Sequence, residues 1–355
     1  LVCGFYLAKA GMKICVVEQH NKPGGYFTSF RRKEFFFDAA AHSFGNYRDG
    51  GHVRKILTEL GVSDLIKIHR HDPSDVIITP DFKITFKNDI QSTINELAKE
   101  FPREKNNISR FFNFLTSARQ AEFVKLKDKT FEYLLQTFLE DKKLINALAF
   151  PVFGNGGLPP SLMHAFSGAK IFSEFLIDGG YYPDGGIQNL PDALARIIKE
   201  NNGEIKYQKL AKNILSDDNS VCGIAFEDGE QLLSDRVVVA CDLMEAYTVL
   251  LGEKVVGSEN LSRLNNMIPS LSTFILYIGI DQHFDHLSNP GTNIWHLGGY
   301  NLDKIYSNIE KSIFNEPAAF MYRVSPDRKT ILAFMSAPFA SISFWKESKK
   351  RSYRQ

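Results

Sequence analysis

The string EQHNKPGG at residues 18–25 follows directly on the apolar run ICVV at residues 14–17. Glu18 therefore closes a predicted buried strand, and Gly24 and Gly25 come a few positions later. In a Rossmann-type unit an acidic residue at this place binds ribose hydroxyls, and nearby glycines let the backbone approach a pyrophosphate. A strand, a turn and a loop without any ligand would give the same local pattern. The string alone leaves both interpretations open, and the neighbouring segments favour dinucleotide binding.

The residues before this string lack the rest of a phosphate-binding unit. LVCGFYLAKA at residues 1–10 predicts an amphipathic helix that ends at Gly11, a residue suited to a helix C-terminus. In a complete unit, a first strand and a G-x-G-x-x-G turn precede this helix, and the acidic residue follows those glycines by about 20 positions. We therefore expect that Leu1 is not the natural start and that the phosphate loop was cut away. This chain alone should then bind a dinucleotide poorly.

The next three segments predict a strand, a β-hairpin and a helical stretch. Residues 35–41 form a short apolar stretch that predicts a buried strand, and Asp38 within it needs hydrogen-bond partners. The alternating VIITPDFKITF at residues 76–86 predicts a β-hairpin around Pro80. Residues 90–150 predict a long helical stretch, which would belong to a substrate-side lobe.

A second α/β block begins at YYPDGG, residues 181–186. A helix over residues 189–198 and a strand over residues 204–208 complete a unit that can rejoin the first sheet. Residues 223–233 predict a hairpin with Asp-Gly at its turn. DRVVVA at residues 235–240 predicts a short strand of a sheet buried on both faces.

Composition excludes several classes of function. The 355 residues, 44% of them hydrophobic, can bury a large core, and they predict two lobes. Because 42 basic residues nearly balance 41 acidic ones, we expect no nucleic-acid partner. The cysteines form no C-x-x-C pair and have no histidines at ligand spacing, so we expect no metal site and a reducing compartment; they are Cys3, Cys15, Cys222 and Cys241.

No apolar stretch is long enough to predict a membrane span. The longest, such as residues 274–280, fall far short of the roughly 20 residues that a bilayer requires. The basic end KESKKRSYRQ at residues 346–355 fits either a solvated helix face or peripheral contact with anionic lipid. We expect a cytoplasmic protein, with membrane association and oligomeric state left open.

Three separated segments together resemble the phytoene desaturase-like flavoproteins, which include carotenoid isomerases and retinol saturases. The first is KAGMKICVVEQHNKPGG at residues 9–25, and the second is FDAAAHSFG at residues 37–45. The third comprises GGLPPS at residues 156–161, GGYYPDGG at residues 179–186 and GEIKY at residues 203–207. The resemblance spans residues 1–251, and the order and spacing of the segments are more specific than any one motif.

The resemblance implies an FAD cofactor and roles for the matching residues on its adenosine side. Glu18 would accept hydrogen bonds from the ribose hydroxyls. Gly24 and Gly25 would let the backbone pass close to the pyrophosphate and the flavin. Ala211 stands where the family usually has valine, and its backbone would face the adenine edge. We also expect Tyr26, which follows the two glycines, to contact the cofactor.

On the flavin side, the resemblance implies that Asp38 and the segment from Ala41 to Ser43 lie beside the isoalloxazine. His42 would point towards the substrate, as a proton donor or a positioning group. A structural histidine is the alternative. One departure from the family pattern is Ala40, which stands where the family has glycine and would narrow the space beside the flavin.

The fold implied is α/β: a Rossmann-type FAD-binding domain of the GR2-like class with an inserted α+β substrate-binding lobe. The predicted FAD-binding domain covers residues 1–75 and 178–245, without its first strand and Gly-rich loop. The predicted substrate lobe covers residues 76–177 and 246–355. The family's late glycine-rich flavin motif is not found before Gln355, so we expect truncation at both ends.

The function implied is hydride transfer between FAD and a carbon–carbon bond of an apolar isoprenoid or polyene, as desaturation, saturation or isomerisation. One alternative is an FAD-dependent oxidase of amines. Tyr26 argues against it, because amine-oxidase relatives have arginine after the Gly-Gly pair. The other alternative is a non-redox binder of lipid or prenyl groups, like the prenyl-protein escort factors that share this fold.

Overall fold

The structure, a computed structural model, describes residues 1–118, 120–217, 220–280, 289–311 and 319–339. In chain order its strands are β1 Cys15–Val17, β2 Ser29–Arg32, β3 Phe35–Asp38, β4 Ile68–Arg70, β5 Asp75–Ile78, β6 Lys83–Phe86, β7 Tyr181–Pro183, β8 Glu204–Lys206, β9 Ala211–Asp217, β10 Ser220–Phe226, β11 Gln231–Leu233, β12 Ser272–Gly279, β13 Asn293–Leu297, β14 Ala319–Val324 and β15 Thr330–Ala337. Its α-helices are α1 Val2–Lys9, α2 His52–Glu59, α3 Ile90–Glu100, α4 Lys105–Ser117, α5 Gln120–Val124, α6 Phe131–Phe138, α7 Lys142–Gly156, α8 Ala165–Ile171, α9 Asn189–Glu200, α10 Glu253–Val256, α11 Ser258–Asn265 and α12 Leu302–Glu310. A 3₁₀-helix covers Pro102–Glu104, and π-helices cover Phe172–Ile177 and Glu245–Gly252.

The chain forms two compact units. The first comprises Leu1–Thr28, Leu60–Ile66 and Gln188–Pro269, and the second comprises Ser29–Glu59, Lys67–Ile187 and Ser270–Gln355. The predicted domain boundaries stay a prediction, because compactness alone does not show which segments hold a cofactor or a substrate.

The parallel strands β1 and β8 organise the first unit. Val16 of β1 lies opposite Ile205 of β8, and helices α1 and α9 pack against each other. Gly4 allows α1 to lie close to this pair, because a Cβ there would stand 3.0 Å from Val16 Cγ2. The predicted return of residues 204–208 to the first strand is therefore confirmed.

A small antiparallel sheet in the order β11-β10-β9 completes the described strands of the first unit. The predicted hairpin at residues 223–233 is confirmed by the pairing of β10 with β11. The predicted strand at residues 235–240 is wrong. No described strand pairs with these residues, and Val238 is 67% exposed, so the apolar run lacks the neighbour that a buried strand requires.

The second unit contains a six-stranded sheet in the order β12-β15-β14-β13-β5-β6. Strands β5 and β6 form the predicted hairpin, with Ile77 opposite Ile84. Strand β13 runs parallel to β5, and the remaining neighbours are antiparallel. Two-stranded pairs β2-β3 and β4-β7 also belong to this unit.

The predicted helical stretch at residues 90–150 is divided, within the described residues, into the helices α3 to α7. Asp89, Thr130 and Asp141 each accept hydrogen bonds from backbone N–H groups of the next helix. Caps of this kind stabilise a new helix start, because the first N–H groups have no partner within the helix. Helix α3 packs on β6 and α7 packs on β13, and the buried core between them includes Phe86, Phe111, Phe112, Phe153, Phe172 and Trp295.

None of the helices in the described ranges combines the length and the apolarity that a membrane span would require. The basic end at residues 346–355, for which lipid contact was one interpretation, lies outside the described residues.

Candidate functional site

Glu18 lies at the carboxyl end of β1, as predicted. Its backbone N–H donates to Lys206 O at 2.9 Å, and its own carbonyl accepts from Lys209 N at 3.0 Å. One side-chain oxygen, Oε1, accepts from His20 N at 2.9 Å. A carboxylate offers about four acceptor positions, so this bond orders the turn and leaves capacity for ribose hydroxyls.

The turn after Glu18 is fixed by its two glycines. Gly24 has φ +128, and a Cβ there would overlap the backbone oxygen of Phe27. Gly25 has φ +59, but a Cβ there would meet nothing within 4 Å. Gln188 Nε2 donates to Pro23 O at 2.9 Å and so holds the turn to the start of α9. Gly24 is therefore required by packing, whereas Gly25 presents open backbone that a ligand can approach.

Tyr26 and Ala211 complete the predicted residues of the first unit. Tyr26 is 84% exposed, so the described residues cover little of its ring. Ala211 begins β9, two residues after the Lys209 N–H that binds the Glu18 carbonyl. The backbone hydrogen bond between Lys209 and Glu18 therefore places Ala211 near Glu18 within the first unit.

In the second unit, Asp38 is buried at the end of β3 and accepts three hydrogen bonds. It accepts from Tyr182 Oη at 2.6 Å, from Ser29 Oγ at 3.0 Å and from Ile187 N at 3.3 Å. Burial raises the pKa of the Asp38 carboxyl, and these hydrogen bonds oppose the shift. The partners that the sequence required for this buried acid are therefore present.

His42 is partly buried in the extended segment that follows, with Ala41 and Ser43 on either side. Its Nδ1 lies 3.0 Å from Ala40 O, so Nδ1–H donates and neutral Nε2 has a lone pair. Burial, reinforced by the charge of Arg323, lowers the pKa of His42 to about 4. A side-chain hydrogen bond with Asn293 opposes this shift of the pKa. At neutral pH His42 is thus uncharged, and Nε2 carries no proton to donate.

Three residues that the sequence interpretation missed hold this segment. Arg323 Nη1 donates to His42 O, Tyr277 Oη donates to Ala39 O, and the ring of Phe334 lies 4.7 Å from that of His42. The signal that could have found Arg323 is a charged residue within the apolar strand AFMYRV of β14, because a buried charge needs partners.

The surroundings of this segment are mostly aromatic. Phe30 stacks on Phe37 with ring centroids 5.4 Å apart, and Tyr277 meets both rings edge-on at 4.9 and 5.6 Å. The guanidinium of Arg323 lies 4.9 Å from the ring centre of Tyr182. The rings around Phe37 therefore pack on one another, and Phe37 itself is buried.

The residues present fit FAD. The first unit supplies a carboxylate at a strand end and open backbone at Gly25, which are the groups that a dinucleotide needs. The second unit supplies the segment at residues 37–43, which contains an uncharged His42 and packs against aromatic rings. These fits support the predicted site residues, whose individual roles stay predictions.

Comparisons with known proteins agree with this interpretation. Residues 1–342 match the family "Flavin containing amine oxidoreductase". Curated relatives include prolycopene isomerase of Daucus carota, 22% identical over 100% of this chain and 62% of its own length. All-trans-retinol 13,14-reductase of Danio rerio is 22% identical over 98% of this chain and 61% of its own length. The lycopene-forming phytoene desaturase of Pseudescherichia vulneris is 23% identical over 81% and 63%.

The chain thus spans less than two thirds of the length of these curated relatives. Among solved structures, an oxidoreductase from Methanosarcina mazei has a TM-score of 0.70 at 17% identity, over 99% of this chain and 80% of that one. RAB GDI from Plasmodium falciparum has a TM-score of 0.54 at 16% identity, over 98% and 83%. These likenesses concern the fold.

The matches confirm the predicted resemblance, the Rossmann-type α/β fold and the FAD cofactor. Glu18, Gly24, Gly25, Asp38 and His42 all lie within the matched residues. The chain belongs to the family of flavin containing amine oxidoreductases, a family of flavin-dependent oxidoreductases.

Proposed function

We propose that the protein is an FAD-dependent oxidoreductase acting on a carbon–carbon bond of an apolar isoprenoid or polyene, by desaturation, saturation or isomerisation. The observation that carries this proposal is the environment of residues 37–43, where a neutral His42 packs on the ring of Phe334 and further aromatic rings pack on Phe37. The curated relatives act on prolycopene, on all-trans-retinol and in lycopene formation, as their names state.

An apolar substrate fits this environment on energetic grounds. A polyene that buries roughly 400 Å² of apolar surface gains on the order of 10 kcal/mol before the cost of ordering. Shape and apolarity would therefore select the substrate.

An amine substrate fits less well. Asp38, the carboxyl group on this segment, already accepts from Tyr182, Ser29 and Ile187. Arg323, which binds the backbone at His42, adds a positive charge that repels a cation.

When bound, FAD supplies the hydride chemistry, and the chain supplies binding and orientation. Glu18 binds the ribose hydroxyls, and Gly25 lets the backbone approach the phosphates. Asp38 fixes the start of the segment at residues 38–43. His42, with its Nδ1–H held by Ala40 O, positions the substrate or accepts a proton at Nε2.

Flavin content and turnover of the purified protein test this function. We expect a yellow protein that converts phytoene, prolycopene or all-trans-retinol. His42→Ala should retain flavin and lose turnover, whereas a matched change outside the site, His69→Ala on β4, should retain both. A colourless wild-type protein that binds prenyl groups would refute the enzyme and favour a binder, the alternative to which the fold of RAB GDI points. Unchanged turnover in His42→Ala would remove His42 from the mechanism.

A further inference from the structure

An asparagine side chain of the six-stranded sheet lies beside His42. Asn293 begins β13 and is 7% exposed, and its side chain is within hydrogen-bonding reach of the His42 ring. Asn293 also lies opposite Arg323 in the strand register, and Arg323 Nη1 donates to His42 O. Because directly opposite residues point to the same side of a sheet, the register agrees with the contact between Asn293 and this histidine.

The orientation of the Asn293 amide is fixed by Asp75. Asn293 Nδ2 donates to Asp75 Oδ1 at 2.9 Å, and Trp295 Nε1 donates to the same oxygen at 2.8 Å. Ser74 adds a side-chain hydrogen bond to this carboxyl group. An amide NH₂ only donates and a carboxylate only accepts, so the NH₂ faces Asp75. Asn293 Oδ1 is therefore directed away from Asp75.

Asn293 Oδ1 is a buried acceptor without a partner. It is one of six buried side-chain N or O atoms that have no hydrogen-bond partner among the described residues. The neutral state of His42 accounts for this. His42 Nδ1 lies 3.0 Å from Ala40 O and carries the hydrogen, so Nε2 has none to give to Oδ1. Buried acceptors are normally paired, and a proton on Nε2 would pair this one.

The two charge states of His42 thus use different hydrogen bonds. Burial, followed by the charge of Arg323, lowers the pKa of His42 to about 4, whereas the hydrogen bonds with Ala40 and Asn293 act in the opposite direction. The neutral ring makes one of these two bonds. The imidazolium can make both, because each ring nitrogen then carries a hydrogen. The charge of Arg323 is itself balanced by two carboxyl groups, those of Asp38 and Asp75.

The proposed reaction requires the second of these states. Forming a C=C bond from a CH–CH unit releases one hydride and one proton, and saturation consumes both. The hydride belongs to the chemistry that FAD supplies when bound, and the proton needs a base or an acid beside the substrate. In desaturation Nε2 of His42 takes the proton, and the electron pair of the broken C–H bond forms the double bond. In saturation the imidazolium returns the proton from Nε2 to carbon.

We propose that Asn293 and Asp75 are positioning residues for His42: Asn293 Oδ1 accepts the hydrogen that Nε2 carries during turnover, and Asp75 holds the amide in the orientation that presents Oδ1. The inference rests on the proposed function, in which His42 exchanges a proton with the substrate. The structural alternative is a pair that only joins β5 to β13. It predicts no effect of either residue on the protonation of His42.

The test measures the protonation of His42 directly. The Cε1–H signals of the nine histidines are followed by NMR from neutral pH to about pH 3, in the purified protein with isotope-labelled histidine. His42→Ala identifies the His42 signal by its loss. We expect a wild-type midpoint at about 4. Asn293→Leu should lower this midpoint by about one unit or more, as the loss of a hydrogen bond to a charged group implies.

Asp75→Asn tests the amide orientation without removing Asn293. Trp295 Nε1 would still donate to the oxygen of the new amide, so the NH₂ of that amide would face Asn293 and turn the Asn293 amide round. The Asn293 NH₂ would then donate to Nε2 and stabilise the neutral ring. We therefore expect the His42 midpoint to fall in Asp75→Asn as in Asn293→Leu.

Two further measurements separate positioning from general damage. Asn146→Leu is the matched control on α7, where Asn146 Nδ2 donates to Lys142 O at 2.8 Å, and it should leave the His42 midpoint unchanged. Turnover at neutral pH decides where a variant unfolds in acid. Asn293→Leu should lower kcat about tenfold and leave KM within about twofold, because the hydrogen bond exists only when His42 is charged.

A His42 midpoint at the wild-type value in Asn293→Leu would overturn the proposal, because Oδ1 would then not face the ring. An equal fall in Asn146→Leu would also overturn it, since the cause would be a loss of stability. Flavin absorbance keeps the two proposals separate. A yellow, active protein whose His42 midpoint ignores Asn293 refutes only this inference. A colourless protein that shows the Asn293-dependent shift supports the hydrogen bond and refutes the proposed function.

Discussion

Replacing Gly24 and Gly25 one at a time by alanine should separate a folding requirement from a cofactor requirement within one turn. Both glycines have positive φ, +128 and +59. Only at Gly24 would a new Cβ overlap protein, since the Phe27 oxygen and Pro191 Cγ, the latter at 3.0 Å, occupy that side. At Gly25 the same Cβ would enter open space.

The structure sets different magnitudes for the two changes. Gly24→Ala forces an L-residue into a sparsely populated backbone conformation, which costs about 1–3 kcal/mol. It also displaces Phe27 and weakens the bond from Phe27 N to Gly24 O, 3.0 Å long, for about 1 kcal/mol more. We expect a total near 2–4 kcal/mol. Gly25→Ala adopts the left-handed helical conformation without a clash, so its cost is about 1 kcal/mol.

The order of the two variants should be reversed for FAD affinity: Gly25→Ala, the less destabilising change, should weaken FAD binding more. A methyl group at Gly25 would move an approaching phosphate away from the backbone and weaken FAD binding roughly tenfold, the equivalent of one charged hydrogen bond. The assay is urea unfolding of the flavin-free full-length protein, followed by titration with FAD. If Gly25→Ala binds FAD as tightly as wild type, the backbone at Gly25 does not contact the cofactor. If Gly24→Ala is as stable as Gly25→Ala, the packing argument fails.

Three further changes test the electrostatics. Glu18→Gln should weaken FAD binding, measured by titration, roughly tenfold. The free energy of unfolding of the flavin-free protein in urea should change by less than about 0.5 kcal/mol, because the amide oxygen still accepts from His20 N. Unaltered FAD affinity would mean that Glu18 does not bind the ribose. The pKa of His71 falls from 6.5 in the unfolded chain to about 4 in the fold, so the unfolded state binds more protons in this window, and stability should fall as pH drops from 6.5 to 4. His71→Phe should remove on the order of 2–3 kcal/mol of this loss, measured by urea unfolding at pH 7, 5.5 and 4. The raised pKa values of Asp38 and Asp75 act in the opposite sense in both proteins, so the difference between wild type and variant isolates His71. If the stability of the two proteins changed with pH in parallel, the lowered pKa of His71 would be contradicted. Asp38→Asn should destabilise the protein by about 1–3 kcal/mol, because the amide NH₂ of asparagine would face groups that themselves donate hydrogen bonds to Asp38. A thermal unfolding midpoint equal to that of wild type would count against these hydrogen bonds.

The parts of the fold that sequence predicted are those with short-range causes. The helix ending before Gly11, the hairpin of β5 and β6 and the strand β8 itself follow from periodicity, turn residues and strand length. The prediction failed at residues 235–240, because whether an apolar run becomes a strand depends on a neighbour that local sequence does not specify.

The candidate site divides in the same way. The residues around Glu18 and Gly25 could be identified because a strand end and two glycines leave a local pattern. Tyr182, Tyr277 and Arg323 could not, since each reaches the segment at residues 38–43 from a distant part of the chain. The contacts of Tyr277 and Arg323 depend on the order of strands in the six-stranded sheet, and those of Tyr182 depend on the pairing of β7 with β4. No local signal identifies these partners.

The burial of Arg323 is better explained by function than by stability. Taking a guanidinium out of water costs several kcal/mol, and an apolar residue of similar size at such a place is often neutral or stabilising. Arg323 recovers part of this cost through the His42 carbonyl, the ring of Tyr182 and two nearby carboxyls, yet its Nη2 has no partner among the described residues. The role that the structure shows for this charge is its hydrogen bond to the His42 carbonyl, which holds the segment at residues 38–43 in place.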